Sequence, residues 1–415
     1  MNKLLILGGG TAGTMVANKL AKKLDADQWQ ITIVDKDEVH YYQPGFIYVP
    51  FGVYRPEDTH RTKRRVVSKR ADMVFSGIEV IEPQANRVRL DNGQTLPYDI
   101  LVIATGCEIR PDQIQGMLDG GWKKNVFDFY TLEGASALNK FLETWEGGRL
   151  VLNVAEMPIK CPVAPLEFVF LADWYFTRRG MRNKVDITYA TPLPGAFTKP
   201  RASAALADML KTKGIHTEAE FNIGQVDSGK QAIRSWDGRE IPYDLLITIP
   251  TNMGVKAIES SGMGDDLNYI PTDKHTLQSR TYENVWVLGD ATNLPTSKAG
   301  SVAHFEHDVV VENILRQIKG IPPKPAFDGH ANCFIETGFN KGVMIDFNYE
   351  VEPLAGTYPV PYFGPFGLLK ETPMNHLGKL SFRWIYWNIL MPGRHLPVSN
   401  QMSMKGKQKL VPSLA

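Results

Sequence analysis

Cysteine is scarce in this chain, three in 415 residues. At positions 107, 161 and 333 they are too few and too far apart for the disulfide framework that staples small secreted domains. No two of them form a CxxC pair, which removes zinc ribbons and thioredoxin-like redox sites. His304 and His307 have no third ligand nearby in sequence, so no metal is expected and both read as packing or helix-surface residues. Charge of one sign is also missing: 46 basic residues against 45 acidic ones leave +1, too little to draw nucleic acid. Long apolar runs are absent as well, since no window approaches the roughly 18 to 20 apolar residues that a spanning helix needs. Membrane contact, if there is any, is expected to be monotopic. The apolar stretch near the start flows straight into a glycine-rich loop and reads as a first strand rather than a signal peptide.

What the sequence does have is a βαβ beginning. Leu4 to Leu7 meet Gly8-Gly9-Gly10-Thr11-Ala12-Gly13, after which Met15, Val16, Leu20 and Leu24 recur at helical spacing. A second apolar strand, Ile31 to Val34, ends in Asp35 and Lys36. Gly8, Gly10 and Gly13 let backbone approach a pyrophosphate, the following helix offers it unpaired N–H groups, and Asp35 can accept from ribose hydroxyls. Further along, Ile100 to Ile103 close on Ala104-Thr105-Gly106, and Val285 to Leu288 close on Gly289-Asp290, which would place a carboxylate near a flavin's ribityl chain. GxGxxG, Asp, ATG and GD in that order within one chain point to FAD.

At 415 residues the chain exceeds one core. It also repeats itself: Asp91 to Ile103 (DNGQTLPYDILVI) is echoed by Asp237 to Ile247 (DGREIPYDLLI), each a hairpin strand, a turn and a buried strand. A fresh strand begins between them at Arg149 to Leu152. The expectation is an α/β protein of tandem Rossmann-like, glutathione-reductase-like FAD/NAD(P)-type domains: a discontinuous FAD-binding domain over 1–112 and 272–325, a second domain over 113–271, and a C-terminal module over 326–415 beyond the Pro-rich joint Gly320 to Pro325. The second domain lacks the fingerprint that NAD(P)H requires. After Leu152 comes Asn153 to Pro165, NVAEMPIKCPVAP, with three prolines and a cysteine in place of the glycines. Proline lacks a free N–H and fixes φ, so this loop makes a poor anion cradle.

These residues resemble the sulfide:quinone oxidoreductase family and its relative, the flavoprotein subunit of flavocytochrome c sulfide dehydrogenase. Besides the shared flavoprotein elements, the resemblance rests on Cys161-Pro162-x-Ala164-Pro165-x-Glu167, Lys298-Ala299-Gly300, Cys333-Phe334, and Lys379 to Phe382, and runs nearly end to end. It implies that sulfide attacks a Cys161–Cys333 disulfide by thiol–disulfide exchange, that electrons pass through FAD to a membrane quinone, and that sulfur leaves as polysulfide or elemental sulfur. Glu167 is implied as a proton relay to the thiols, although a carboxylate there could equally offset a helix dipole. Cys107, directly after the ATG turn, is a third candidate thiol; the family's third cysteine usually lies further along that loop. Phe197 stands where several relatives have a histidine. Lys298, with the helix start at Ala299 and Gly300, is expected to stabilise reduced flavin. Phe334 and Lys379 are implied at the quinone end, with Phe363 and Phe366 as weaker candidates for its walls.

The C-terminal module carries an apolar aromatic loop, Tyr358 to Leu369, followed by an amphipathic stretch from His376 to Met391 with tryptophan and tyrosine in its middle. It is expected to lie in the headgroup region as a peripheral membrane anchor, with Lys405, Lys407 and Lys409 drawn to anionic lipid. A dimer interface or a core helix is the competing reading, and a homo-oligomer is open. A type II NADH:quinone reductase is disfavoured by the missing second fingerprint, and the flavocytochrome subunit by the bare start MNKLLILGGG and the apolar C-terminus. A sulfide-sensing flavoprotein without turnover could keep every residue named.

Overall fold

The computed structural model describes residues 1–360, 364–394, 396 and 398–408. Two five-stranded parallel sheets and a four-stranded sheet organise them. The first sheet runs, edge to edge, Val285–Val287, Ile100–Ile103, Asn2–Leu7, Trp29–Asp35 and Ala71–Phe75. Its strands are apolar on both faces because helices and a second layer cover them, as parallel sheets require. Leu4 to Leu7 and Ile100 to Ile103 are all buried. The strand at Val285–Val287 joins this sheet beside Ile100–Ile103, some 180 residues later in the chain than its neighbour.

The second sheet has the same plan: Val126–Phe127, Leu245–Ile249, Gly148–Val154, Val185–Ala190 and His216–Glu218, all parallel. Each sheet also carries a three-stranded antiparallel satellite, Ile78–Glu82 with Arg87–Leu90 and Thr95–Pro97 in one case, Ile223–Asp227 with Ala232–Ser235 and Glu240–Pro242 in the other. The internal echo in the sequence is therefore the closing hairpin strand and the strand beside the central one in each of the two sheets. A short antiparallel pair, Cys107–Arg110 against Thr251–Gly254, ties the two together.

The third sheet, Ala331–Gly338, Lys341–Phe347, Phe366–Leu368 and Gly356–Tyr358, packs against the helices Ala164–Arg178 and Pro373–Ile385. The latter helix continues into a π-helical turn at Tyr386–Leu390. The expected amphipathic anchor is thus divided. Tyr386, Trp387, Leu390 and Met391 are core residues, with Asn18 Nδ2 donating to the Met391 carbonyl and Tyr42 packed on Tyr386. Only the earlier turns stay bare: Met374, Leu377 and Trp384 are exposed, as is Val360 on the preceding loop. Lys407 corrects the expectation placed on it, since it is buried and paired with Asp346, which also accepts from His330. Lys405 is exposed, and Lys409 lies outside the described residues. No helix among the described residues is long and apolar enough to cross a membrane.

Candidate functional site

A cleft with about 1580 Å³ of empty space, part of it open to solvent, starts at the glycine loop and ends near Cys161 and Lys379. Parallel strands that end on the same side leave such a crevice beyond their carboxyl ends. Gly8, Gly10, Asp35, Lys36, Ala104, Thr105, Gly106, Gly289, Asp290, Lys298, Ala299 and Gly300 all line it. Gly8 sits at φ +98°, where a side chain is strained, and a Cβ on it would collide with the carbonyl of Ala104. Gly13 does not line the cleft. A Cβ there would overlap the Gly8 carbonyl oxygen, so its role is close packing of the Thr11–Leu20 helix on the loop. That helix has no side-chain cap and no acid in its first turn, which leaves its terminal N–H groups to a ligand.

Asp35 accepts from Gly9 N–H at 2.6 Å and pairs with Lys63 at 2.9 Å. Lys63 opens the run Lys63-Arg64-Arg65, which in sequence reads as a solvated face; in the fold its side chain is almost fully buried beside the carboxylate. Thr105 lines the cleft with its Oγ1 buried and without a hydrogen-bond partner. An orphaned hydroxyl, a glycine cradle that excludes side chains and a carboxylate at the end of the second strand together fit a dinucleotide cofactor.

Lys298 departs from expectation. Its ammonium donates to the carbonyls of Asp290 and Thr292 and stands 3.7 Å from the centre of the Tyr269 ring. It therefore braces the Gly289–Asp290 turn, and burial pulls its pKa down, with Asp290 opposing. Lys160, unremarked in the sequence, is a second cation on the cleft wall, 5.9 Å from the Tyr130 ring. Beside it Cys107 lies 4.0 Å from Asp290 Oδ2 and 3.9 Å from Asn252 Oδ1. Burial, with Asp290 adding, pushes the Cys107 thiol up to about 12. His304 and His307 are buried, which fits the packing role.

Cys161 has φ +50° and is pinned on both sides: its N–H donates to Lys298 O at 2.6 Å, and its carbonyl accepts from Tyr130 and Ala164. It precedes the Ala164–Arg178 helix, which carries Glu167 inward. Cys333 arrives from the third sheet, close enough that the two thiols and Lys379 influence one another electrostatically. It does not line the cleft. Burial pushes both thiols up to about 12, Glu167 adding and Lys379 opposing. No disulfide joins Cys107, Cys161 or Cys333.

An ion pair acts on both thiols: Lys379 Nζ is 2.7 Å from Glu167 Oε1 and donates to Phe334 O at 3.0 Å. Burial works against the Lys379 charge, but Glu167 and the two thiols more than offset it and raise the pKa to about 12. Glu167 also accepts from Glu336 N–H at 2.8 Å, so it is more than a helix-terminal acid. Phe334 and Phe366 meet edge to face at 5.0 Å, and Gly378 makes room for both rings against the helix that bears Lys379. Phe363 lies outside the described residues. Phe197 is buried and brings no proton carrier.

Residues 2–151 match the model of the pyridine nucleotide-disulphide oxidoreductase family. The type II NADH:quinone oxidoreductase of Staphylococcus saprophyticus is 32% identical over 385 residues, 84% of this chain and 91% of that one. Fold, cleft and these likenesses define a two-sheet oxidoreductase of the pyridine nucleotide-disulphide class. Within that class, the mitochondrial sulfide:quinone oxidoreductase of Dictyostelium discoideum is 29% identical over 401 residues, covering 95% of this chain and 87% of the relative. The crystal structure of the sulfide:quinone oxidoreductase from Aquifex aeolicus superposes with a TM-score of 0.79 at 20% identity, over 95% of this chain and 92% of that one. Over nearly its whole length the chain is thus similar to sulfide:quinone oxidoreductases.

Proposed function

We propose that this protein oxidises sulfide with the Cys161–Cys333 pair and passes the electrons through FAD to a quinone held at the membrane surface. The observation that carries the reading is the convergence of two cysteines from different sheets on one Lys379–Glu167 ion pair at the end of a dinucleotide cleft. The second sheet's loop, with prolines where a glycine fingerprint would stand, favours sulfide over NADH as the donor.

With the pair oxidised, hydrosulfide attacks one sulfur. The S–S bond breaks, a persulfide forms on that cysteine, and the other leaves as thiolate. Because burial holds both thiols high, the leaving thiolate needs a nearby cation, and the Lys379 ammonium is that cation. A second hydrosulfide takes the outer sulfur as hydrodisulfide, which leaves two thiolates; FAD, when bound, would take up the two electrons released as the disulfide re-forms and supply them to the quinone. Gly8 and Gly10 are suited to the pyrophosphate, Asp35 to the ribose and Asp290 to the ribityl chain. Lys63 holds the Asp35 carboxylate in place.

Phe334 and Phe366 form an aromatic wall beside Lys379, suited to a quinone ring with its oxygen toward the ammonium. Docking of the Val360, Met374, Leu377 and Trp384 surface on lipid would bring that wall to the bilayer. Anaerobic sulfide should bleach the flavin absorption, NADH should not, and a short-chain quinone should restore it. Cys161→Ser and Cys333→Ser should each abolish the sulfide bleaching. Bleaching by NADH, or full turnover in either serine variant, overturns the reading.

A further inference from the structure

The quinone end contains a second buried acid that the chemistry above leaves idle. Glu336, only 1% exposed, lies on the Ala331–Gly338 strand two residues beyond Phe334, and so on the same face. His376 lies on the Pro373–Ile385 helix three residues before Lys379, and so on the same stripe. Strand and helix therefore meet in two rungs. In one, Lys379 Nζ reaches the Phe334 carbonyl at 3.0 Å. In the other, His376 Nδ1 meets Glu336 Oε2 at 2.7 Å. The Glu336 backbone N–H, in turn, is bound to Glu167, the partner of Lys379.

We propose that His376 and Glu336 form the proton entry for quinone reduction, carrying protons from solvent toward the Lys379 site. The proposal rests on the sulfide-to-quinone reading above. Proton balance requires such an entry. Oxidising HS⁻ to zero-valent sulfur releases one proton and two electrons, while reducing a quinone to its quinol takes up two electrons and two protons. One proton per turnover must therefore come from water, and it must reach a site walled by Phe334 and Phe366. Lys379, whose charge is held strongly, cannot serve as a net source without being reprotonated.

The pair has the properties a relay needs. The His376 side chain is 17% exposed, so it touches water at one end, while Glu336 is buried at the other. Burial pushes the Glu336 carboxyl up, and His376 opposes this, so the acid can hold a proton where an exposed carboxylate would not. The groups facing it from every side are Glu167 on the Ala164–Arg178 helix, Lys379 on the C-terminal helix, and Tyr48 and Tyr54 from the segment after the second strand. Arg383 bears on Tyr54, and the Lys341–Glu371 ion pair lies on the strand and loop next to His376. None of these besides His376 bonds the Glu336 carboxylate.

The test separates the two half-reactions by stopped flow in the flavin-loaded protein. In Glu336→Gln and His376→Ala, sulfide should bleach the flavin within about two-fold of the wild-type rate, while reoxidation by a short-chain quinone should slow on the order of 10²-fold. Added imidazole should restore reoxidation in His376→Ala, and the decline of the reoxidation rate with rising pH should be lost in Glu336→Gln. Wild-type reoxidation rates in both variants overturn the relay. So does an equal loss of both half-reactions that imidazole does not rescue, which would mark a purely structural pair. If the wild-type flavin is bleached by sulfide yet never reoxidised by quinone, the proposed function itself fails, a result distinct from either.

Discussion

After its central strand, the first sheet turns through Gly8, Gly9 and Gly10; after the matching strand Gly148–Val154, the second turns through Ala155, Glu156 and Met157 toward Cys161. Strand direction, the satellite hairpin and the order of four strands are shared, while the edge strand comes last in the chain in the first sheet and first in the second. What differs is the backbone that a ligand would touch. Gly8 at φ +98° opens a cradle, whereas in the second loop the left-handed position is taken by Cys161 at φ +50°, held by bonds to Lys298, Tyr130 and Ala164. Closely related sheets thus carry a glycine loop open to a ligand in one copy and a rigidly held cysteine in the other. The sheet sets where a loop ends up; the residues in the loop decide what it can bind.

The sharpest way to break the comparison is to damage the cradle alone. Gly13→Ala puts a Cβ against the Gly8 carbonyl, a backbone contact that cannot swing aside. The expected result is at least about 3 kcal/mol of destabilisation, from overpacking at a site with no room to relax, together with near-complete loss of bound flavin. Thermal denaturation and the flavin-to-protein absorbance ratio read both. A fully flavinated Gly13→Ala protein would mean that the loop is no cradle.

A smaller effect concerns the support behind the turn that follows Val285–Val287. Glu306, buried on the Gly300–Ile318 helix, accepts from Gly289 N–H at 2.6 Å, and burial raises its carboxyl from 4.5 to about 8. An acid raised on folding stabilises nothing at high pH: below its unfolded value both states are protonated, and between that value and about 8 folding takes up a proton. Stability should therefore fall as pH rises through this window. Glu306→Gln, which cannot ionise and can still accept from Gly289, should gain about 1 to 2 kcal/mol on wild type between pH 5 and pH 8. Urea midpoints at those two pH values measure it, and parallel wild-type and mutant profiles would refute it.

The repeated architecture was legible because its signals are local. Apolar runs, glycine turns and the echoed hairpins sit within short windows, and their periodicity states strand or helix directly. The cysteines, Glu167 and Lys379 were legible through resemblance, and the fold brings them together. What stayed hidden depends on partners far away in the chain. Lys63 looks like part of a basic surface run until Asp35 receives it. Lys407 looks like a lipid-seeking tail residue until Asp346 buries it. The C-terminal amphipathic stretch has the pattern of one helix on a membrane, but its last turn packs on Asn18 and Tyr42 from the first sheet's connections. Burying a charge or an aromatic face needs a specific partner, and sequence spacing does not name partners across hundreds of residues.

The two sheets also end their edge strands in matching carboxylates, which allows the finest test. Asp290 follows Val285–Val287 and lines the cleft; Asp128 follows Val126–Phe127 and is used up locally, its Oδ1 accepting from Thr131 N–H at 2.7 Å and Thr131 Oγ1 at 2.8 Å. Burial pushes both carboxyls up, but the bonds from Thr131 work against this at Asp128, while at Asp290 the opposing influence comes from Lys298 and Lys160. Asp128→Ala should therefore cost about 1 kcal/mol of stability, the scale of a lost helix-start acceptor, with flavin content unchanged. Asp290→Asn should leave the stability of flavin-free protein within about 0.5 kcal/mol but weaken flavin binding about tenfold, the loss of one hydrogen bond to a charged acceptor. Titrating flavin into both variants after removing the bound cofactor distinguishes them. If Asp128→Ala loses flavin and Asp290→Asn does not, the roles assigned to the two strand ends are reversed, and the cleft is not where the cofactor lies.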